Sequence, residues 1–241
     1  MKIQVLTFAI CFATLFANGC ASNGSAFGLA SNSVQNKPSV QFSIARAHEQ
    51  EGNLGAALQT YEAMYQADSA NASVCHRIGV TKLRMGEISE GITYLMEADA
   101  LDPNSAEITG DIGYAHIQQG DFELAEQFLR DSLNINPSNK RNVSNLAMAV
   151  GYQGKMEECY TVYRTVMTDA EANANLGFIH SQRGETDRSI ELYSKALDQD
   201  PSLKSAGEAL VQMVDINQKV QIAKRSMPQS KVQLASDSYY E

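Results

Sequence analysis

Four histidines, four cysteines and a few paired carboxylates are the side chains of this 241-residue sequence that could do chemistry. Their spacing decides what they can do. His48, His116 and His180 recur at one position of a repeating unit, two units apart each time. Stacked helical units lie roughly 10 Å apart, too far for those three rings to share one ion, so they read as packing residues. Cys75 and Cys159 stand two and a half units apart, beyond the Cα separation of about 7 Å that a disulfide tolerates. They read as small buried hydrophobes. Glu157 and Glu158 fall at the start of a second helix, where carboxylates favour the dipole. There is no glycine-rich phosphate loop, no close His and carboxylate metal spacing, and no serine or cysteine nucleophile with a placed base. The sequence predicts no enzyme, no cofactor, no metal and no small-molecule substrate.

The elements that position these residues are repeats. Aligned on Gly52, Gly86, Gly120, Gly154 and Gly184, the units begin at Pro38, Ala72, Ala106, Lys140 and Ala170, spaced 34, 34, 34 and 30 residues apart. Each reads as a helix, a break at the glycine, a second helix and a stop. Asp102-Pro103, Asn136-Pro137 and Asp200-Pro201 supply three of the stops, since proline cannot continue a helix. Position 7 holds Ile44, Ile78, Ile112, Leu146 and Leu176, and position 8 is always small: Ala45, Gly79, Gly113, Ala147 and Gly177. In the second helix, small residues at position 20 precede Tyr61, Leu95, Leu129, Tyr163 and Tyr193 at position 24. Large knobs are therefore expected to meet small holes.

This pattern resembles the tetratricopeptide repeat, an antiparallel helix pair of this length. The resemblance covers residues 38–203 in units 38–71, 72–105, 106–139, 140–169 and 170–203. It implies an all-α fold, a right-handed superhelical solenoid of about five helix pairs. Residues 204–222 are expected to add a capping helix whose stripe runs from Ala206 through Leu210 and Met213 to Val220. Residues 223–241 read as a mobile tail. Cys75 and Val143 replace a tryptophan common in the family, Ser69 replaces a proline, and the fourth unit is four residues short.

On a helical wheel, positions 5, 9, 12 and 13 of each first helix point away from packing positions 4, 7, 8 and 11, toward the inner groove. These include Glu49 of unit one and His76 of unit two. They also place Leu83, Tyr114, Ile117, Met148, Tyr152 and Phe178 on a diagonal apolar track outside the expected core, with Gly110 and Gly151 leaving room beside it. Such a track suits a helical or extended apolar segment of a protein partner. The alternative is that superhelical curvature, the cap or the tail covers it. The family's clamp for chaperone C-termini is missing its asparagine: position 9 holds Arg46, Val80, Tyr114, Met148 and Phe178. A net charge of −9 without long runs of one sign argues against nucleic acid or anionic lipid as the main partner.

Met1-Lys2 and the apolar run Ile3 to Ala17 read as a secretory signal, being shorter than the about 20 apolar residues of a membrane span. The run ends in Leu15-Phe16-Ala17-Asn18-Gly19-Cys20, which resembles the bacterial lipobox. The resemblance implies a signal peptide of residues 1–19 and a lipid anchor at Cys20. Ala17 departs from the usual leucine, so the alternative is ordinary cleavage and a free periplasmic adaptor. By resemblance to enteric bacterial lipoproteins, in which an aspartate after the cysteine implies inner-membrane retention, Ala21 at that place implies the outer membrane as the expected location. Residues 20–37, rich in Ser, Asn and Gly, read as a disordered tether spanning about 20 to 25 Å. The stretches Asn145 to Gly154 and Ala170 to Gly177 are similar to repeat lipoproteins of tight-adherence pilus assembly. The expectation is a non-catalytic, lipid-anchored scaffold for a pilus or secretion machine. Another envelope adaptor, serving outer-membrane protein insertion or the cell wall, is the alternative.

Overall fold

A computed structural model describes residues 37–226, which form eleven α-helices. The signal segment, Cys20 and most of the tether lie outside the described residues, as do residues 227–241 of the tail. Five antiparallel pairs follow in order: α1 (Pro38–Gln50) with α2 (Leu54–Ala67), α3 (Ala72–Met85) with α4 (Ile88–Leu101), and α5 (Ala106–Gln119) with α6 (Phe122–Ile135). Then come α7 (Lys140–Tyr152) with α8 (Met156–Arg164), α9 (Asp169–Gln182) with α10 (Thr186–Gln199), and a last helix, α11 (Lys204–Ser226). The cap thus runs four residues beyond the expected Ile222. No helix among the described residues is long and apolar enough to cross a membrane.

Local signals set the ends. The aligned glycines, Gly52 to Gly184, close the first helices at φ between 76° and 93°, a left-handed conformation that disfavours a Cβ. Asp102, Asn136 and Asp200 end the second helices because the proline behind each excludes helical backbone. Asn53, Asn71, Ser105 and Asn139 cap helix starts with side-chain oxygens, and Thr168 and Glu171 form a reciprocal capping box ahead of α9. That box restarts the chain after α8, which is only nine residues long and accounts for the shortened fourth unit.

Packing follows the knob-and-hole expectation. A Cβ built on Gly79 would lie 2.7 Å from Leu95 Cγ, one on Gly113 2.6 Å from Leu129 Cγ, and one on Gly177 3.1 Å from Tyr193 Cδ1. Position 8 is small because position 24 fills its space. Each apolar cluster joins one unit to the next: Ala57, Tyr61 and Ile78 in the first, Leu95 and Ile112 in the second, Leu129, Leu146 and Ile179 in the third. The core is therefore one continuous strip that no single pair could bury.

Two of the cysteines and two of the histidines are absorbed into this packing, whereas the His48 side chain, 36% exposed, lies beside Glu51 at the surface. Cys75 and Cys159 are buried free thiols, pushed up by that burial to about 11 and about 12, so both stay protonated and inert near neutral pH. His116 is buried and stacks on Phe128 with centroids 5.5 Å apart, and buried His180 bonds Glu185.

Candidate functional site

Positions 9 and 13 of the first helices face the open inner side, one rung per unit. Tyr114, Met148 and Phe178 supply position 9 of units three to five, and Tyr152 supplies position 13 of unit four. With Ile117 they line a cleft of about 700 Å³. Tyr114 and Phe178 are 38% and 45% exposed at its two sides, Met148 and Tyr152 are half-buried, and Ile117 forms the floor at 9%. The rim is polar, with Gln118, Gln182 and Arg183.

One wall was not foreseen. Phe122, the first residue of α6, stacks on Tyr152 with centroids 4.8 Å apart and planes 24° from parallel. A bulky aromatic directly after the Gly120-Asp121 break is the signal that could have placed it beside the next unit's position 13.

Polar bonds brace this wall. Gln153 donates from Nε2 to the Phe122 carbonyl at 3.2 Å and to Glu126 Oε2 at 2.8 Å. Glu126 also accepts from Lys155 Nζ at 2.9 Å and Arg130 at 2.7 Å, and Arg183 donates to the Tyr152 carbonyl at 3.1 Å. Burial would raise the Glu126 pKa, but the bonds from Lys155, Arg130 and Gln153 outweigh it and hold the carboxyl at about 2. A depressed folded value gives stability that is complete above the ordinary value of 4.5 and is lost as pH falls toward 2. Both cations are half exposed, which screens the pairs. Urea unfolding between pH 4.5 and 2 should therefore show Glu126→Gln losing about 1–2 kcal/mol less than the wild type. Parallel losses would remove Glu126 as the acid-sensitive brace.

Positions 5 and 12 belong to the packing, which corrects several expectations. Leu83 is 6% exposed and sits in the core with Leu95 and Ile112, away from the cleft. Its reason is Gly91 at position 20, where a Cβ would come 2.7 Å from Leu83 Cδ2. Ile117 over Ala125 repeats that pairing, so Ile117 shows the cleft only one edge of a core side chain. Gly151 leaves no open room, because Ile179 and the larger Cys159 at position 20 fill its space. Gly110 is filled by Asn142, which donates to Ser132 Oγ at 2.6 Å and to the Ala106 carbonyl at 3.2 Å.

His76 is likewise buried at position 5, with Nε2 2.7 Å from Asp111 Oδ2 on the next first helix. The other Asp111 oxygen accepts from Arg141 at 2.7 Å. Glu107 lies near enough for His76, Glu107 and Asp111 to be a candidate ligand group among the described residues. With both Asp111 oxygens engaged by cationic or N–H partners, the arrangement is a brace across units two, three and four. Glu49 at position 12 is 4% exposed and ties unit one to Arg77 and Arg84 of unit two.

Residues 83–149 and 170–203 match models of the tetratricopeptide repeat. Solved structures of similar shape include YrrB, described as a TPR protein with an unusual peptide-binding site. It is 18% identical with a TM-score of 0.57, over 77% of this chain and 97% of that one. MamA is 19% identical with a TM-score of 0.55, over 68% of this chain and 91% of its own. TTC0263, a thermophilic TPR protein of Thermus thermophilus, is 15% identical with a TM-score of 0.55, over 72% and 97%. Identities this low show the shared fold alone. No curated protein matches the sequence.

Proposed function

We propose that this superhelical array of tetratricopeptide repeats with its C-terminal helix is a non-catalytic scaffold that holds an apolar segment of a protein partner in the cleft of units three to five. The observation that carries this reading is the pair Tyr114 and Phe178. Two large aromatic rings stand substantially exposed on either side of an apolar floor, on the face the unit-to-unit core leaves open. Tyr152 and Met148 complete the bed, and the Gln118 and Gln182 amides can pair with a peptide backbone laid across it. The peptide-binding site in the description of YrrB, on a like fold, supports the same kind of use here.

The finer reading rests on sequence resemblance. Cys20 carries the lipid, the tether of residues 20–37 holds the array at the periplasmic face of the outer membrane, and the partner is a component of a pilus or secretion machine. A general envelope adaptor fits the same cleft, and Ala17 in the lipobox favours a free periplasmic form as the second reading.

Two experiments separate these. Cys20→Ser should move the protein from the membrane to the soluble fraction of cells; equal solubility of both forms would remove the anchor. Affinity capture from crosslinked envelopes should retain pilus or secretin components with the wild type and lose them with Tyr114→Ser/Phe178→Ser. Unrelated envelope proteins lost in the same way would keep the cleft and replace the machine. Retention of the same proteins by the double variant would overturn the cleft itself.

A further inference from the structure

The brace between units two and three has the donor set of a divalent-cation site. Glu107 and Asp111 stand at positions 2 and 6 of α5, four residues apart, which puts both carboxylates on one face of that helix. Position 5 of the preceding unit brings His76 of α3 against that face. One ligand atom from each of the three side chains lies within 4.8 Å of the other two. A search for close ligand spacing in the sequence misses this group, because His76 and Asp111 are 35 residues apart.

Two features of the cluster call for a positive centre. His76 Nε2 and Asp111 Oδ2 are 2.7 Å apart on side chains that are each 8% exposed, so a proton or a metal ion has to lie between them. Glu107 then adds a second carboxylate, and its side chain has no hydrogen bond or ion pair among the described residues. Against these two acids Arg141 sets one positive charge, on Asp111 Oδ1. With a neutral imidazole the group keeps one net negative charge, and like charges this close repel.

We propose that His76 Nε2, Asp111 Oδ2 and Glu107 bind one divalent ion of the zinc class, stapling α3 to α5. The ion takes the place of the Nε2 proton, which a neutral imidazole carries on Nδ1 instead. Ligands about 2.1 Å from zinc stand about 3.0–3.4 Å from each other, so the His76–Asp111 pair opens by about half an ångström to admit it. One nitrogen with two carboxylate oxygens favours zinc, cobalt or nickel over magnesium and calcium, which take all-oxygen shells. Arg141 stays on the other Asp111 oxygen and holds that carboxylate in orientation, as outer-shell partners of metal ligands do. Glu107 is exposed, which gives the ion its entry and leaves its remaining positions to water.

Zinc titration by calorimetry tests this on the full chain carrying Cys11→Ser and Cys20→Ser, which removes the two thiols outside the repeats. Glu107→Gln and His76→Gln are compared in the same background. The expected result is one zinc ion per chain, bound at least about tenfold more weakly by each variant. At free zinc a hundred times Kd, the unfolding equilibrium constant should fall about a hundredfold in the unsubstituted chain and much less in Glu107→Gln. Cobalt in place of zinc should give a visible absorption band that His76→Gln loses. Equal zinc affinity with and without Glu107→Gln would put the ion on other side chains and overturn the proposal, as would no binding at millimolar zinc. Glu107→Gln removes an exposed side chain that braces nothing, so it decides the matter even if His76→Gln fails to fold.

Discussion

Replacing Glu49 with alanine is expected to cost about 3–5 kcal/mol of folding stability, the range for removing one partner of a buried ion pair. The side chain is 5% exposed and accepts from Arg77, from Arg84 at 3.2 Å and from the fully buried Tyr61 hydroxyl at 3.2 Å. Without it the Arg77 guanidinium, itself 13% exposed, keeps its charge at the junction of units one and two with no counter-ion. Glu49→Gln, which keeps an acceptor for Tyr61, should lose less, about 2 kcal/mol. The location shapes the transition. Units in a solenoid contact mainly their neighbours, so the loss falls on the first unit, and α1 and α2 should open before the rest. Urea unfolding should become biphasic, with exchange accelerating first in residues 38–67. A single transition shifted by under about 1 kcal/mol would show that the network is bystander packing.

Tyr61 gives the same junction an alkaline edge. Burial first, and then the Glu49 charge, push its hydroxyl from 10.0 up to about 12. A raised folded value means stability that is complete below 10 and lost as pH rises toward 12.

The repeat was legible because its signals are local or nearest-neighbour. A glycine at φ near 90° and a proline after the second helix act on the residues beside them, and position 8 against position 24 is a pairing within one hairpin. Positions 5 and 12 were not legible from a wheel, because a wheel describes one isolated cylinder. In the array the next first helix covers position 5, which is how Asp111 comes to hold His76 and Asn142 to fill Gly110. Position 12 is governed by its partner at position 20. Leu83 with Gly91, Ile117 with Ala125, and Gly151 with Cys159 trade volume between the two sites. Reading those two columns together would have moved Leu83 and Glu49 out of the groove. Position 9 is mixed: Tyr114 and Phe178 stand exposed as a wheel would have them, while Val80 and Met148 are partly buried against the core.

That distinction makes the double substitution Tyr114→Ser with Phe178→Ser the decisive one for function. Aromatic side chains at the centre of an interface cost about 2 kcal/mol or more each when truncated, so losing both should weaken partner binding by roughly a hundredfold to a thousandfold. The fold should hardly notice. Both rings are more than a third exposed, neither belongs to an apolar cluster joining the units, and each should cost only about 1 kcal/mol of stability. Leu83→Ser supplies the contrast. It removes a knob from the second unit's core and should cost about 3 kcal/mol or more while leaving the affinity of the remaining folded molecules unchanged. Thermal melts beside titration with a captured partner segment read both quantities. Loss of binding with a nearly native melting curve would place the partner on the Tyr114 and Phe178 rungs. Loss of binding in proportion to unfolding, in the double variant and in Leu83→Ser alike, would mean that the aromatics only support the array and that its partner surface lies elsewhere.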